Sequence, residues 1–453
     1  MERKNTIIAD FTTGSVPKKM LQFALPLILS GMLQTVYSMV DMMVVGKFVG
    51  GAALSAVSIG GDVLTMLTFA SMGIANAAQI IISQYIGAGR RDMVVKLIGT
   101  LFTFLLGCAV CLTVVCLTIR GHIMNWVNTP PEAWDYAKDY ITTCIIGLVF
   151  IYGYNLVSAI LRGMGDSKRP FAFIAIASVL NLILDLVFIG RFHMAAFGAA
   201  LATVIGQGIS FFCALFVLFK EREEIGFDFR PSSFRMDRQV MGPLLKLGIP
   251  MMIQSASITF SKLFVNSWIN SYGYVASAVS GIGTKLDTIS NTFAQAINAA
   301  GGTMIAQNIG AGKIKRVPKA MATAFFMAFS IAFPLGLVTF LFPQAVFGLF
   351  CEEAPILEMA MTYVPVAVLL FLSSAMRVPM FSLINGSGMS KLNLAVALLD
   401  GLVMRIGLAL ILGLACGMGV YGFWYGHAAS SFVPFVIGGV YFLSGKWKTG
   451  KAI

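Results

Sequence analysis

The sequence predicts an all-α integral membrane protein of twelve transmembrane helices in two parallel six-helix repeats. Three observations predict it. First, 58% of the 453 residues are hydrophobic and 11% charged, with a mean hydropathy of +0.84. Ordinary soluble domains run about 25% charged, so this much apolar surface has no place in a water-soluble core. Second, twelve apolar segments are each long enough to cross a ~30 Å hydrocarbon layer as a helix. Third, the chain matches itself at an offset of 223 to 224: LRGMGDSK at 161–168 returns as LINGSGMSK at 383–391, QYIGAG at 84–89 as QNIGAG at 307–312, and Pro26 falls on Pro250.

In the first copy the segments are 18–45, 52–84, 94–119, 134–160, 170–190 and 196–219. The polar stretch from Met1 to Pro17 holds no short apolar region with a small-residue cleavage site, so 18–45 is expected to be a retained span and not a signal peptide. Pro26 removes one backbone bond from this helix and can bend it. Ser30, Gln34, Tyr37 and Asp41 are spaced by four, three and four and share one stripe. Ser178, Asn181 and Asp185 repeat the pattern on the fifth segment, and Thr203, Gln207 and Ser210 on the sixth, which implies a polar interior. The charge-rich stretch from Lys220 to Arg238, with Pro231, then separates the copies. The expected organisation is an amino-terminal lobe at 1–219, a cytoplasmic linker at 220–242 and a carboxyl-terminal lobe at 243–453. The second copy has segments 243–268, 275–306, 319–343, 356–384, 392–413 and 419–443.

Six spans per copy is an even number, so the copies run the same way, related by an axis along the membrane normal. Odd-numbered loops hold 4 Lys and Arg; the termini and even loops hold 24. By the positive-inside bias both termini are cytoplasmic, in a multi-pass cell-membrane protein. This distribution accounts for the net charge of +12 without nucleic acid. Cys108, Cys111, Cys116, Cys144, Cys213 and Cys416 lie in apolar stretches and read as core residues, not as a disulfide framework. No nucleotide loop, no metal-ligand spacing among His122, His193 and His427, and no hydrolase triad is present. The I-G-A-G segments read as turns at cytoplasmic helix ends. No enzyme activity and no cofactor are expected.

Charge inside the spans points to function. The first copy holds Asp41, Asp62 and Asp185 there and no base; the second holds Asp287 and Asp400 against Lys262, Lys285, Arg377 and Arg405. An ionised Asp near mid-membrane costs about 2.5–3.5 kcal/mol, so unaccompanied acids need a cation. At the repeat offset Asp41 falls on Val265, Asn181 on Met404, Asp185 on Leu408 and Asp62 on Lys285, so only the first lobe captures a cation this way. The acids of the second lobe are expected to be neutralised by their basic neighbours, with a substrate-facing role for Asp287 or Arg405 left open. A duplicated membrane domain with ionisable groups in one half is the layout of an ion-coupled transporter.

The duplicated twelve-span layout, the helix FALPLILSGMLQTVYSMVDMMVVGKFVG with Pro26 and Asp41, the loop LRGMGDSK and the following SVLNLILD resemble the MATE (multidrug and toxic compound extrusion) transporters over essentially the whole chain. The likeness is to the bacterial and archaeal branch whose cation site lies in the amino-terminal lobe. It implies that Asp41, Asn181, Asp185 and Thr203 bind Na⁺ or a proton, and that Gln34, Tyr37 and Asn155 line the same cavity. Another branch carries an acid on the seventh helix; here that stretch offers Gln254 and Lys262 instead. Two carboxylates, an amide and a hydroxyl give hard cations an all-oxygen site, and two close carboxylates can equally share a proton.

The expected activity is therefore secondary efflux of amphipathic, mostly cationic organic compounds by antiport against Na⁺ or H⁺, from a monomer in the lipid bilayer. Met39, Met42, Met43, Met66, Met72, Met251 and Met252 are expected on cavity-facing helices, where flexible thioethers adapt to varied ligands. The alternative is a flippase for a lipid-linked precursor, which would need a strongly cationic cavity and usually extra spans.

Overall fold

In the computed structural model, which describes residues 7–448, the chain crosses back and forth as helices, the one open-chain element whose backbone hydrogen bonds close within itself in lipid. The first repeat comprises α1 (Val16–Phe48), α2 (Gly51–Gly87), α3 (Arg91–Trp126), α4, α5 (Lys168–Asp185) and α6 (Ala195–Lys220). Helix α4 is two pieces, Trp134–Ile146 and Leu148–Gly163, that meet at a 46° bend. The second repeat comprises α7 (Arg238–Asn270), α8 (Tyr274–Gly310), α9 (Val317–Leu341), α10 (Ala354–Gly386), α11 (Ser390–Ala415) and α12 (Val420–Leu443). All twelve expected spans are helical. The first six residues of the polar N-terminal stretch and the last five of the C-terminal tail lie outside the described residues.

Nine of these helices are long and apolar enough to cross a membrane, and the bent α4 is a tenth. Helices α7 and α8 are as long, at 33 and 37 residues, but carry Lys262, Lys285 and Asp287 in their interiors. They count as spans because α1 and α2 are their repeat mates.

The duplication is visible in packing as well as in sequence. A Cβ on Gly60 would lie 2.3 Å from the Tyr140 ring, and one on Gly283 would lie 2.3 Å from the Tyr363 ring, the same contact displaced by 223. Gly163 meets Ile82 as Gly386 meets Ile305. The I-G-A-G segments, expected only to be turns, have a second role. A Cβ on Gly87 would fall 2.0 Å from the Gln307 carbonyl oxygen and one on Gly310 would fall 2.1 Å from that of Gln84, so the two repeated segments cross backbone to backbone and only glycine fits there. The closing glycines, Gly89 and Gly312, take φ of 72° and 69° and make the turns.

The chain forms two compact units. Of the described residues, the first holds Leu29–Ile82, Arg90–Leu245 and 7–9; the second holds Asp10–Ile28, Ser83–Gly89 and 246–448. Helices α1 and α2 are thus divided between units, α1 just past Pro26. The chain ahead of α1 is tied into the second unit by Arg316, whose Nη2 donates to the carbonyls of Phe11 (3.3 Å), Thr13 (3.1 Å) and Gly14 (3.0 Å). The stretch after α6 belongs to the first unit. Its Phe227, Phe229 and Phe234 stack edge-on with one another and with Phe102 of α3 and Phe219 of α6, and Asp237 N–H donates to Thr100 Oγ1 at 3.0 Å.

One expectation about packing needs correction. Cys116 and Cys144 are buried, but Cys111 and Cys416 are exposed and Cys108 and Cys213 are intermediate. A membrane helix is apolar on its outward face too, so lying in an apolar stretch does not make a residue core.

Candidate functional site

The first unit contains a polar site built on α1, α5 and α6. Asp41, on the inward stripe of α1, is 7% exposed; Asp185, at the end of α5, is 1% exposed, Asn181 4% and Ser178 5%. The i, i+3 and i+4 spacing read from the sequence is what brings Ser178, Asn181 and Asp185 to one buried face. Immediately after Asp185 the helix opens into a π-helical turn, Leu186–Arg191, a distortion frequent at functional sites.

The carboxyls of Asp41 and Asp185 face each other within hydrogen-bonding contact. Such a bond between two carboxyls requires one proton, because ionised carboxylates only accept. With its amide assigned so that neither end faces its like, Asn181 donates to Asp185 Oδ2 at 3.1 Å and accepts from the Thr203 N–H at 3.2 Å. Asp41 Oδ1 and Asp185 Oδ1 are buried and have no hydrogen-bond partner among the described residues. Two partnerless carboxyl oxygens beside an amide and a hydroxyl suit a small cation or a proton, since a buried acceptor left unmade is costly.

The surroundings explain why the acids have no alternative. An apolar cluster of Val44, Val45, Ala53, Val57, Ile189, Ala196, Ala199 and Ala200 adjoins them, together with Tyr140 and Cys144. Both Tyr140 and Cys144 lie within electrostatic reach of Asp41. They were not singled out in the sequence, where Tyr140 stands beside Asp135 and Asp139. Two signals could have found them: their i, i+4 spacing, and the Tyr140–Tyr363 repeat pair.

Of the cavity residues, Tyr37 is half-buried within electrostatic reach of both carboxyls. Gln34 is exposed, and Asn155 donates to Ser71 Oγ at 3.2 Å. On the sixth-helix stripe, Ser210 donates to the Phe173 carbonyl at 3.0 Å and so serves as helix-to-helix glue. Asp62 is exposed. Among the methionines, Met39, Met42, Met43, Met66 and Met72 are exposed and Met251 is a core residue.

In the second unit the two membrane-buried acids, Asp287 and Asp400, each have an internal base. Lys262 Nζ lies 3.0 Å from Asp287 Oδ2, and Arg405 Nη2 lies 2.8 Å from Asp400 Oδ1. Asp400 and Arg405 are each 1% exposed. Arg405 also donates from Nη1 to His427 Nδ1 at 3.0 Å. Here the cation is part of the protein.

Comparison with known proteins returns the duplication independently: the MatE family model matches residues 26–187 and again 250–411. The chain is similar to the probable multidrug resistance protein YpnP of Bacillus subtilis (strain 168), 35% identical over 311 residues that make up 68% of each chain. It is also similar to the probable multidrug resistance protein NorM of Thermotoga maritima, 24% identical over 96% of this chain and 93% of that one. Among solved structures, an outward-facing multidrug resistance MATE family transporter of the MOP superfamily superposes with a TM-score of 0.90 at 21% identity, covering 99% of this chain and 100% of the other.

Proposed function

Because this chain belongs to the MATE family of transporters, we propose that it is a secondary active multidrug efflux transporter, exchanging amphipathic, mostly cationic organic compounds for Na⁺ or H⁺ by alternating access. The observation that carries this reading is the buried Asp41–Asp185 pair, two carboxyls in contact that form no ion pair with a base among the described residues and have one partnerless oxygen each. Asn181 and Thr203 complete an oxygen-lined niche. A proton is held between the two carboxyls; Na⁺ would instead draw on both of them, the Asn181 amide oxygen and the Thr203 hydroxyl. The relatives matched are named multidrug resistance or export proteins, which favours efflux over lipid flipping.

Electrostatics supplies the coupling. Tyr37 and Gln34 lie on the same helix as Asp41 and within about two turns of it, near 10 Å or less at 1.5 Å rise per residue. A cationic compound held there and an ion at the carboxyls therefore draw on the same negative charge. Proteoliposomes with separately imposed Na⁺ and pH gradients test the reading. Efflux should follow at least one of them, and Asp41→Asn and Asp185→Asn should each abolish it while leaving the protein inserted and folded. Transport by both variants at the native rate would remove the cation site from the mechanism.

A further inference from the structure

The first unit also holds an apolar groove of about 430 Å³, within the range of sites that take a small molecule. Its walls are Phe102 and Leu106 of α3 and the stretch of α6 from Phe211 to Phe219, and Phe229 and Phe234 complete it where α6 ends. Phe212 and Phe216 are each nine positions past Thr203 and Gln207, two and a half turns at 3.6 residues per turn, and so lie on the face of α6 opposite its polar stripe. Phe212, Phe216 and Phe219 are 57%, 67% and 45% exposed, and α6 is apolar enough to span the bilayer, so this face meets lipid. An apolar groove facing hydrocarbon is filled by hydrocarbon, because an empty one forfeits the dispersion contacts of its walls. From Phe211 to Phe219 it runs about 12 Å along the helix, most of one half of a ~30 Å hydrocarbon layer.

The mouth of the groove is basic. Each ring there is followed directly in the chain by an exposed base: Phe219 by Lys220, Phe229 by Arg230 and Phe234 by Arg235. Arg222 adds a fourth, its guanidinium carbon 4.6 Å from the centroid of the Phe219 ring, which ties it to the groove wall. Most acids of this stretch are taken. Glu221 pairs with Arg169 at 3.0 Å, Asp237 with Lys96 at 3.7 Å and Asp228 with Arg230 at 3.6 Å, and Glu224 accepts from the Ile8 N–H at 3.3 Å. Glu223 is left against Lys220, Arg222 and Arg235, which form no ion pair among the described residues. The mouth is also built, not loose. Phe229 takes φ of 55°, a conformation that a bulky residue keeps only where its surroundings hold it, and the rings of Phe102, Phe219, Phe227 and Phe234 do so. A Cβ on Gly99 would fall 2.0 Å from the Ser233 carbonyl oxygen, so this stretch docks on α3 backbone to backbone.

We propose that the groove is a binding site for an anionic phospholipid of the leaflet on the linker side, with one acyl chain along the outer face of α6 and the phosphate met by Arg222, Lys220 and Arg235. Bases at headgroup level attract anionic lipid, and a zwitterionic headgroup answers them less well because it carries its own cation. The inference does not depend on what the protein transports.

The test is photolabelling of the full chain in nanodiscs holding one copy each, with a trace of phospholipid that carries a diazirine midway along one acyl chain, and mass spectrometry of the labelled peptides. With a phosphatidylglycerol headgroup the label should concentrate on α6 between Phe211 and Phe219 and on α3 around Leu106. It should exceed labelling by the phosphatidylcholine probe roughly fivefold or more, the preference that one base near an anionic headgroup supplies. Unlabelled phosphatidylglycerol should compete and phosphatidylcholine should not. Lys220→Gln, Arg222→Gln and Arg235→Gln together should bring the two headgroups level, and since all three side chains are exposed the fold should survive. Leu215→Trp, which fills the groove, should lower labelling by both probes; should that variant fail to fold, the charge variant decides alone. Equal labelling by both headgroups in native protein, label spread evenly over the outer helix faces, or an unchanged preference in the charge variant would overturn the proposal. So would label displaced by hexyltrimethylammonium and not by phosphatidylglycerol, which would assign the groove to a transported cation, or a groove protected from label in nanodiscs loaded with two copies, which would assign it to a second copy of the chain.

Discussion

Asp41 and Asp400 are both buried acids in the membrane, and their neighbours give them opposite consequences. Asp400 alone in the sequence reads as the milder position, because its repeat has a surplus of bases. The 2.8 Å pair with Arg405 changes the expected failure, since removing one partner of a buried ion pair leaves the other charge uncompensated, at roughly 3–5 kcal/mol. Asp400→Asn should therefore lower the melting temperature in detergent, while the folded fraction in liposomes keeps its response to an ion gradient. Asp41→Asn should do the reverse, holding its melting temperature and losing the response. A surface acid gives a smaller effect. Burial works against ionisation of Asp10, but hydrogen bonds from Thr13 and Thr12 and the charge of Lys19 outweigh it and bring its carboxyl down to about 2. A lowered folded value means stability that is present above the ordinary 3.8 and lost as pH falls from there towards about 2. The group is mostly exposed, so Asp10→Asn should cost under about 1 kcal/mol and flatten the acid limb of a melting-temperature profile.

Helix contacts in this fold are set by where the chain has no side chain. Tyr140, 4% exposed, packs against Gly60 of α2 and comes within electrostatic reach of Asp41. Gly60→Ala would place a methyl group 2.3 Å from a ring carbon, an overpacking that costs about 1–3 kcal/mol. Gly283→Ala should cost a similar amount against Tyr363. The two differ in what else is disturbed: in Gly60→Ala the displaced tyrosine neighbours the carboxyl pair, so ion-dependent efflux should fall further than stability. A thermal-shift and transport measurement on both variants checks this; equal transport losses would show that the tyrosine contact serves packing alone. The bend in α4 has a comparable origin. A Cβ on Gly147 would lie 2.4 Å from Val204, so the glycine sets the approach of α4 to α6.

For the whole molecule, the 24 to 4 split of loop Lys and Arg predicts the orientation. Cysteines introduced near Glu352 should react with a membrane-impermeant maleimide from outside, and those near Lys315 should not. The opposite labelling would invert the topology. Coupling, too, is a property of the whole transporter. If ion and substrate share the charge of Asp41 and Asp185, then Na⁺ or H⁺ must weaken binding of a cationic substrate, and by linkage the substrate must weaken ion binding by the same factor. Substrate affinity measured across Na⁺ concentration and pH should fall with one of them. An affinity indifferent to both, with transport intact, would place coupling in conformational change alone.

The twelve helices, the duplication and the segregation of unpaired acids into one repeat are all legible in the amino-acid order. Each of these follows from a local property: apolar length, self-match at a fixed offset, and which residue types are present. Local periodicity also places Asp41, Asn181 and Asp185 on buried helix faces, because a 3.6-residue period fixes which positions share a face. Which polar faces meet is settled by packing. The contact of Asp41 with Asp185, the orientation of Asn181 and the approach of Tyr140 join residues far apart in the chain, and periodicity within a helix carries no register between helices. The same holds for charge. Asp287, Asp400, Lys262, Lys285, Arg377 and Arg405 can all be read from the sequence of the second repeat, but that Lys262 takes Asp287 and Arg405 takes Asp400 depends on how the helices pack, because an ion pair forms only where side chains come within a few ångströms of each other.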